Sequence, residues 1–89
     1  MKTIYKYDIP VGGRIEIGLP KGAEILHVDT QANYPKLWAL VDSENDAQTR
    51  VFHIFGTGHP VDLNLELSFV GTFMVHGGSL VFHLFEESK

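Results

Sequence analysis

The feature that most constrains this chain is a pentapeptide that occurs nearly twice. Val51-Phe52-His53-Ile54-Phe55 returns thirty residues later as Val81-Phe82-His83-Leu84-Phe85. Each copy is a short apolar run, rich in β-branched and aromatic residues, with one histidine at its centre. That composition suits a strand covered on both faces, or nearly so. Two such runs within 89 residues set the fold class and carry two imidazoles into or beside the core.

Elsewhere, strand-like segments alternate with turn signals at intervals of roughly 8–12 residues, the pattern of an all-β domain. Residues 3–8 alternate around Ile4 and two tyrosines until Pro10-Val11-Gly12-Gly13 interrupts them. In 14–19, Ile15, Ile17 and Leu19 share one face and Arg14, Glu16 and Gly18 the other. Pro20-Lys21-Gly22 is a turn, 24–30 a third strand and 31–35 a loop. Residues 36–42 and 49–57 are the next two strands, with a polar hairpin loop between them. Gly58-His59-Pro60 ends the latter, and 61–67 reads as a loop running into an extended segment. Residues 68–75 and 79–85 are the last two strands, joined by a two-residue hairpin turn at His76-Gly77-Gly78, with a polar tail beyond.

The expected fold is therefore a small antiparallel sandwich or partly open barrel of about seven strands, one domain spanning 1–89. Its expected core contains Trp38, Leu40, Phe52, Ile54, Phe82 and Leu84, the residues of the most apolar strands. Open sheets have edges, and edges invite pairing. A homodimer or higher cyclic assembly is expected, using the Ile15, Ile17, Leu19 face and the tyrosines.

Composition narrows the function. The chain has no cysteine, which excludes disulfides and thiolate metal sites. The first seven residues lack the apolar region of a secretory signal, and no run approaches the roughly 18 apolar residues of a membrane span. The formal charge is −4, and the seven basic residues are scattered. Neither nucleic acid nor membrane is an expected partner.

The series Leu19-Pro20-Lys21-Gly22-Ala23-Glu24-Ile25-Leu26, Leu37-Trp38-Ala39-Leu40-Val41-Asp42, Gly56-Thr57-Gly58-His59, Val70-Gly71-Thr72-Phe73 and Gly78-Ser79-Leu80-Val81-Phe82-His83-Leu84-Phe85-Glu86 resembles a family of short phage and prophage proteins of unknown function. The resemblance covers nearly the whole chain. It implies a phage accessory protein made in the host bacterial cytoplasm, and it brings no reaction or site residues with it.

Five histidines are present: His27, His53, His59, His76 and His83. If the two pentapeptide strands were neighbours, His53 and His83 could approach on one face and form part of a zinc site. Apolar residues two positions away on either side make hydrogen-bonded core histidines the better reading, and no HxH or HxxxH spacing occurs. No metal and no cofactor are expected. Serines lack any nucleophile signature, so the reading is non-enzymatic.

The candidate ligand site is Gly56, Thr57, Gly58 and His59, with Thr72 from the second Gly-Thr pair. Two glycines let a backbone approach a ligand, and their N–H groups can form an anion nest. The competing reading is that these glycines only bend the sheet. Trp38 is either a stacking platform or a core residue. The expected function is a phage-encoded antagonist of host defence that sequesters a small nucleotide-like ligand within a homo-oligomer. The alternatives are an inhibitor covering a host defence protein, a minor phage structural protein, or a His-based metal protein.

Overall fold

A computed structural model describes residues 1–88. Its strands are β1 (Lys2–Asp8), β2 (Arg14–Pro20), β3 (Glu24–Gln31), β4 (Tyr34–Asp42), β5 (Ala47–Gly56), β6 (Leu67–Val75) and β7 (Leu80–Glu87). A single 3-10 turn, His76–Gly78, links the last two. The strands form two antiparallel sheets, ordered β1-β4-β3 and β2-β5-β7-β6, which pack face to face without closing into a barrel. The all-β sandwich expected from the strand pattern is the fold.

Period-2 alternation selects the inward faces. Ile15, Ile17 and Leu19 of β2, Leu37, Ala39 and Val41 of β4, Val28 of β3, Phe73 of β6 and Leu84 of β7 are all buried. Phe52 is fully buried between the sheets, with Ile54 and Phe82 packed partly buried against the same cluster. The two pentapeptides are indeed neighbours. β5 and β7 pair directly, His53 opposite Phe85 and Phe55 opposite His83. Each histidine therefore sits beside the other repeat's terminal phenylalanine, on the outer face of the four-stranded sheet. Phe55, Phe85 and Phe69 of β6 form an edge-to-face aromatic chain there, with ring centroids 5.7 and 5.4 Å apart.

Two expectations about faces are corrected. Trp38 and Leu40 are half-buried on the outer side of β4, because Leu37, Ala39 and Val41 turn inward against the facing sheet. Conversely, the Ile15, Ile17, Leu19 face is core and unavailable for a subunit contact. Connections shift too. β3 and β4 extend until only Ala32 and Asn33 separate them. Residues 61–66 form no strand; an Asx turn at Asp62 breaks the alternation, its carboxylate accepting the Asn64 N–H at 2.9 Å. The β6–β7 turn spans four residues rather than two, since Val75 pairs with Leu80. The supposed tail at Glu86 and Glu87 belongs to β7, where Arg50 holds Glu86 in a bidentate pair at 2.6 and 2.7 Å. The same guanidinium donates to the Ala23 carbonyl of the opposite sheet's approach at 2.6 Å. This clamp ties the two sheets together toward one end of the sandwich. The other end is open.

Candidate functional site

At that end lies a cleft of about 870 Å³. Ile54, Phe73, Val75 and Phe82 form its apolar floor and walls, and Tyr34 and Pro35 stand at its rim. Asn33, His59 and His76 bring polar side chains to it. No lysine or arginine lines it.

Each polar group is placed by local backbone chemistry. Residues 57–66 leave β5 through a turn in which the His59 N–H donates to the Gly56 carbonyl at 3.0 Å. That turn lays the imidazole over Gly56, so close that a Cβ there would meet Nδ1 at 2.8 Å and Cε1 at 2.9 Å. Gly56 is therefore required by the His59 ring and not by its own dihedrals. Asn33 and His76 come from two different hairpins, β3–β4 and β6–β7, on opposite sheets. The His76 N–H donates to Asn33 Oδ1 at 2.6 Å, and Asn33 Nδ2 lies 3.3 Å from His76 Nδ1. Since the amide nitrogen can only donate, the ring's Nδ1 accepts and Nε2 carries its proton.

Backbone strain is concentrated here. Ala32, Asn33 and His76 are the three described non-glycine residues with positive φ, at 51°, 69° and 53°, and all three line the cleft. Left-handed geometry costs an alanine or histidine about 1–2 kcal/mol each. Such strain gathers at ligand sites, where surrounding structure over-determines it.

The five residues expected to form one site lie on two faces. Gly56 and His59 line the cleft. Thr57 and Thr72 point to the opposite, outer face of the sheet. There they bracket His83, Thr57 Oγ1 lying 2.7 Å from Nε2 and Thr72 Oγ1 2.9 Å from Nδ1. Gly58, with φ of 86°, only turns the chain. Of the N–H groups in this turn, that of Thr57 donates to the Val81 carbonyl and that of His59 to the Gly56 carbonyl. Gly71 serves the fold. It sits at a β6 bulge and lets Val28 of the facing sheet come close.

Outside the cleft, His53 is 8% exposed, and its Nε2 has no hydrogen-bond partner, lying 3.6 Å from Glu87 Oε2. No three His, Asp or Glu side chains among the described residues gather as metal ligands. Displaced pKa values accompany ion pairs of the strands: Glu86 hydrogen bonds raise that of Arg50, and Lys36 lowers that of Asp8. No described helix is long and apolar enough to cross a membrane.

Asn33 and His76 were not singled out as site residues in the sequence, where each reads only as turn chemistry. The Asn in a two-residue connection between strands was a signal for positive φ, but nothing local says that the two turns meet.

Compared with known families, the chain matches along its whole length, residues 1–89, a domain of unknown function, DUF7352. The chain belongs to the DUF7352 family. No curated protein and no solved structure matches it. The reading of this DUF7352 domain therefore rests on the cleft and the residues around it.

Proposed function

We propose that this DUF7352 domain is a non-enzymatic binding protein that takes a small nucleotide-like molecule into the cleft at the open end of the sandwich. The observation that carries the reading is the coincidence of the positive-φ residues Ala32, Asn33 and His76 with a cleft that combines aromatic walls and convergent polar groups. Its volume of about 870 Å³ falls within the range of small-molecule sites. Phe73, Phe82 and Tyr34 offer ring faces and edges to a planar base. His59 and His76 supply polar contacts to its rim. With no lysine or arginine in the lining, the base rather than a phosphate is the recognised part. The cleft is built within one copy, so capture needs no second subunit.

The resemblance to phage and prophage proteins sets the biological side of the proposal. A phage protein in the host bacterial cytoplasm that holds a signalling nucleotide keeps it from a defence receptor. Cyclic and linear nucleotides and free nucleosides are the panel to test, by thermal shift and calorimetry. A ligand at a hundred times its Kd adds about 2.7 kcal/mol of stability, and each kcal/mol is worth about 4–8 °C in a domain of this size. Thr57→Val with Thr72→Val should keep that shift, and His59→Ala should lose it while melting normally without ligand. No shift across the panel, or a shift indifferent to His59→Ala, overturns the proposal. Capture of a host protein in its place would favour the inhibitor reading.

A further inference from the structure

Between β1 and β2 the chain crosses from the three-stranded sheet to the four-stranded one, and Pro10-Val11-Gly12-Gly13 of that crossing lines the cleft. The ends of this strap are pinned to opposite walls. Ile9 is buried, and its N–H donates to the Pro35 carbonyl of β4 at 3.1 Å. The Gly13 carbonyl accepts from the Ile54 N–H of β5 at 2.9 Å. Pro35 and Ile54 themselves line the cleft. Between the pins, Pro10, Val11 and Gly12 make no backbone hydrogen bond among the described residues. Val11 is fully exposed. Pro10 has its φ fixed by its ring. Gly12, with φ of 149°, is in a conformation that favours glycine. A Cβ on Gly13 would meet nothing within 4 Å. The strap is therefore stiff where it leaves the three-stranded sheet and free to turn before it reaches the other.

We propose that this strap is a lid, and that rotation at Gly12 and Gly13 folds Val11 out of solvent onto a molecule held in the cleft. The inference rests on the reading of the cleft as a binding site. One exposed valine is ordinary on a protein surface. This one is carried by a segment without hydrogen bonds of its own, and the walls of the cleft are that segment's anchors. Few hydrogen bonds and little buried surface put such a segment at the low-stability end of a fold, from which lids are drawn.

Closure is coupled to occupancy. One valine side chain is far too small to fill a cleft of about 870 Å³, so folding it into an empty cleft would leave a void with few contacts. With an occupant in place, Val11 and the ring it covers leave water together. The strap has no charge and no side-chain hydrogen-bonding group. What it covers is therefore apolar, the face of a base and not its polar edge. A lid that closes after entry acts on departure, so its effect belongs in the dissociation rate.

Since the base is the recognised part, the free nucleosides adenosine, guanosine, cytidine and uridine are the probes, and stopped-flow binding is the test. Val11→Ser should raise the dissociation rate of the nucleoside that binds by about tenfold, the change expected for one buried valine side chain. Its association rate should change by less than about twofold, and its melting without nucleoside should match wild type. Val61→Ser, at an exposed valine outside the cleft, should change neither rate. In the wild-type chain, backbone relaxation should show Val11 and Gly12 mobile when free and ordered when saturated. Binding with an unchanged Val11→Ser dissociation rate, an equal effect from Val61→Ser, or a Val11 amide that stays mobile at saturation overturns the lid and leaves the cleft standing. A wild-type chain that binds none of these nucleosides at millimolar concentration overturns the reading of the cleft, and the lid falls with it.

Discussion

Gly71→Ala should destabilise the domain although alanine is the better strand residue. Gly71 does not lie in the left-handed region, so a side chain meets no backbone strain there. Alone, the exchange should gain about 0.5–1 kcal/mol by lowering the entropy of the unfolded chain. The cost is packing. The new Cβ would stand 3.0 Å from Val28 Cβ and 3.2 Å from Val28 Cγ2. No rotamer of Val28 moves its Cβ, so the sheets must part by several tenths of an ångström where β3 and β6 converge. Overpacking of this kind costs about 1–3 kcal/mol, leaving a net loss of about 0–2.5 kcal/mol. Gly56→Ala is the instructive control. Its contact is shorter, 2.8 Å, but the atom met is the tip of the exposed His59 side chain, which can rotate away. It should change stability by less than about 0.5 kcal/mol, while displacing the imidazole from the cleft. Urea denaturation of both variants is the assay. Val28→Ala in the Gly71→Ala background should recover only part of the loss, since it removes Cγ2 and keeps Cβ. A Gly71→Ala protein as stable as the Gly56→Ala protein would refute the close approach of the sheets at this seam.

Phe52→Ala should cost about 3–5 kcal/mol, as a fully buried ring lost from the centre of the sandwich; Trp38→Ala, on the outer face, should cost clearly less by the same urea measurement. Arg50→Ala strands the Glu86 carboxylate and the Ala23 carbonyl without their donor and should cost about 1.5–3 kcal/mol, checked by thermal melting. Lys36 holds the Asp8 pKa below its ordinary value of 3.8. The pair's contribution is present above that value and lost as pH falls through the lowered folded pKa. An acid titration of Asp8→Asn should accordingly show a shallower fall in stability below 3.8 than wild type.

The fold class was legible because alternation and turn residues are local. Ile15, Ile17 and Leu19 alternate with polar neighbours, and one face had to be buried. Which way β4 turns was not legible. Leu37, Ala39 and Val41 and the set Trp38 and Leu40 are both apolar, so period 2 cannot choose between them; the facing sheet does. Register hid the rest. The repeat announced two similar strands, but that they pair about Ile54 and Leu84, with His53 beside Phe85 and Phe55 beside His83, depends on the chain's return through β6. The candidate site was half legible. Gly56 and His59 are neighbours in sequence and share the cleft. Thr57 lies next to Gly56, yet a strand sends successive side chains to opposite faces, and this took it to His83 instead. Asn33 and His76 are 43 positions apart, and only the stacking of the two sheets brings their hairpins together.

Backbone and imidazole NMR shift mapping during titration with the nucleotide and nucleoside panel tests the central claim most directly. The expected result is a saturable change confined to Val11, Asn33, Gly56, His59, His76 and Phe82, with His83 and Thr72 still. A saturable change centred on His83 and the outer aromatic chain, or none with any member of the panel, would contradict the assignment of the cleft as the binding site.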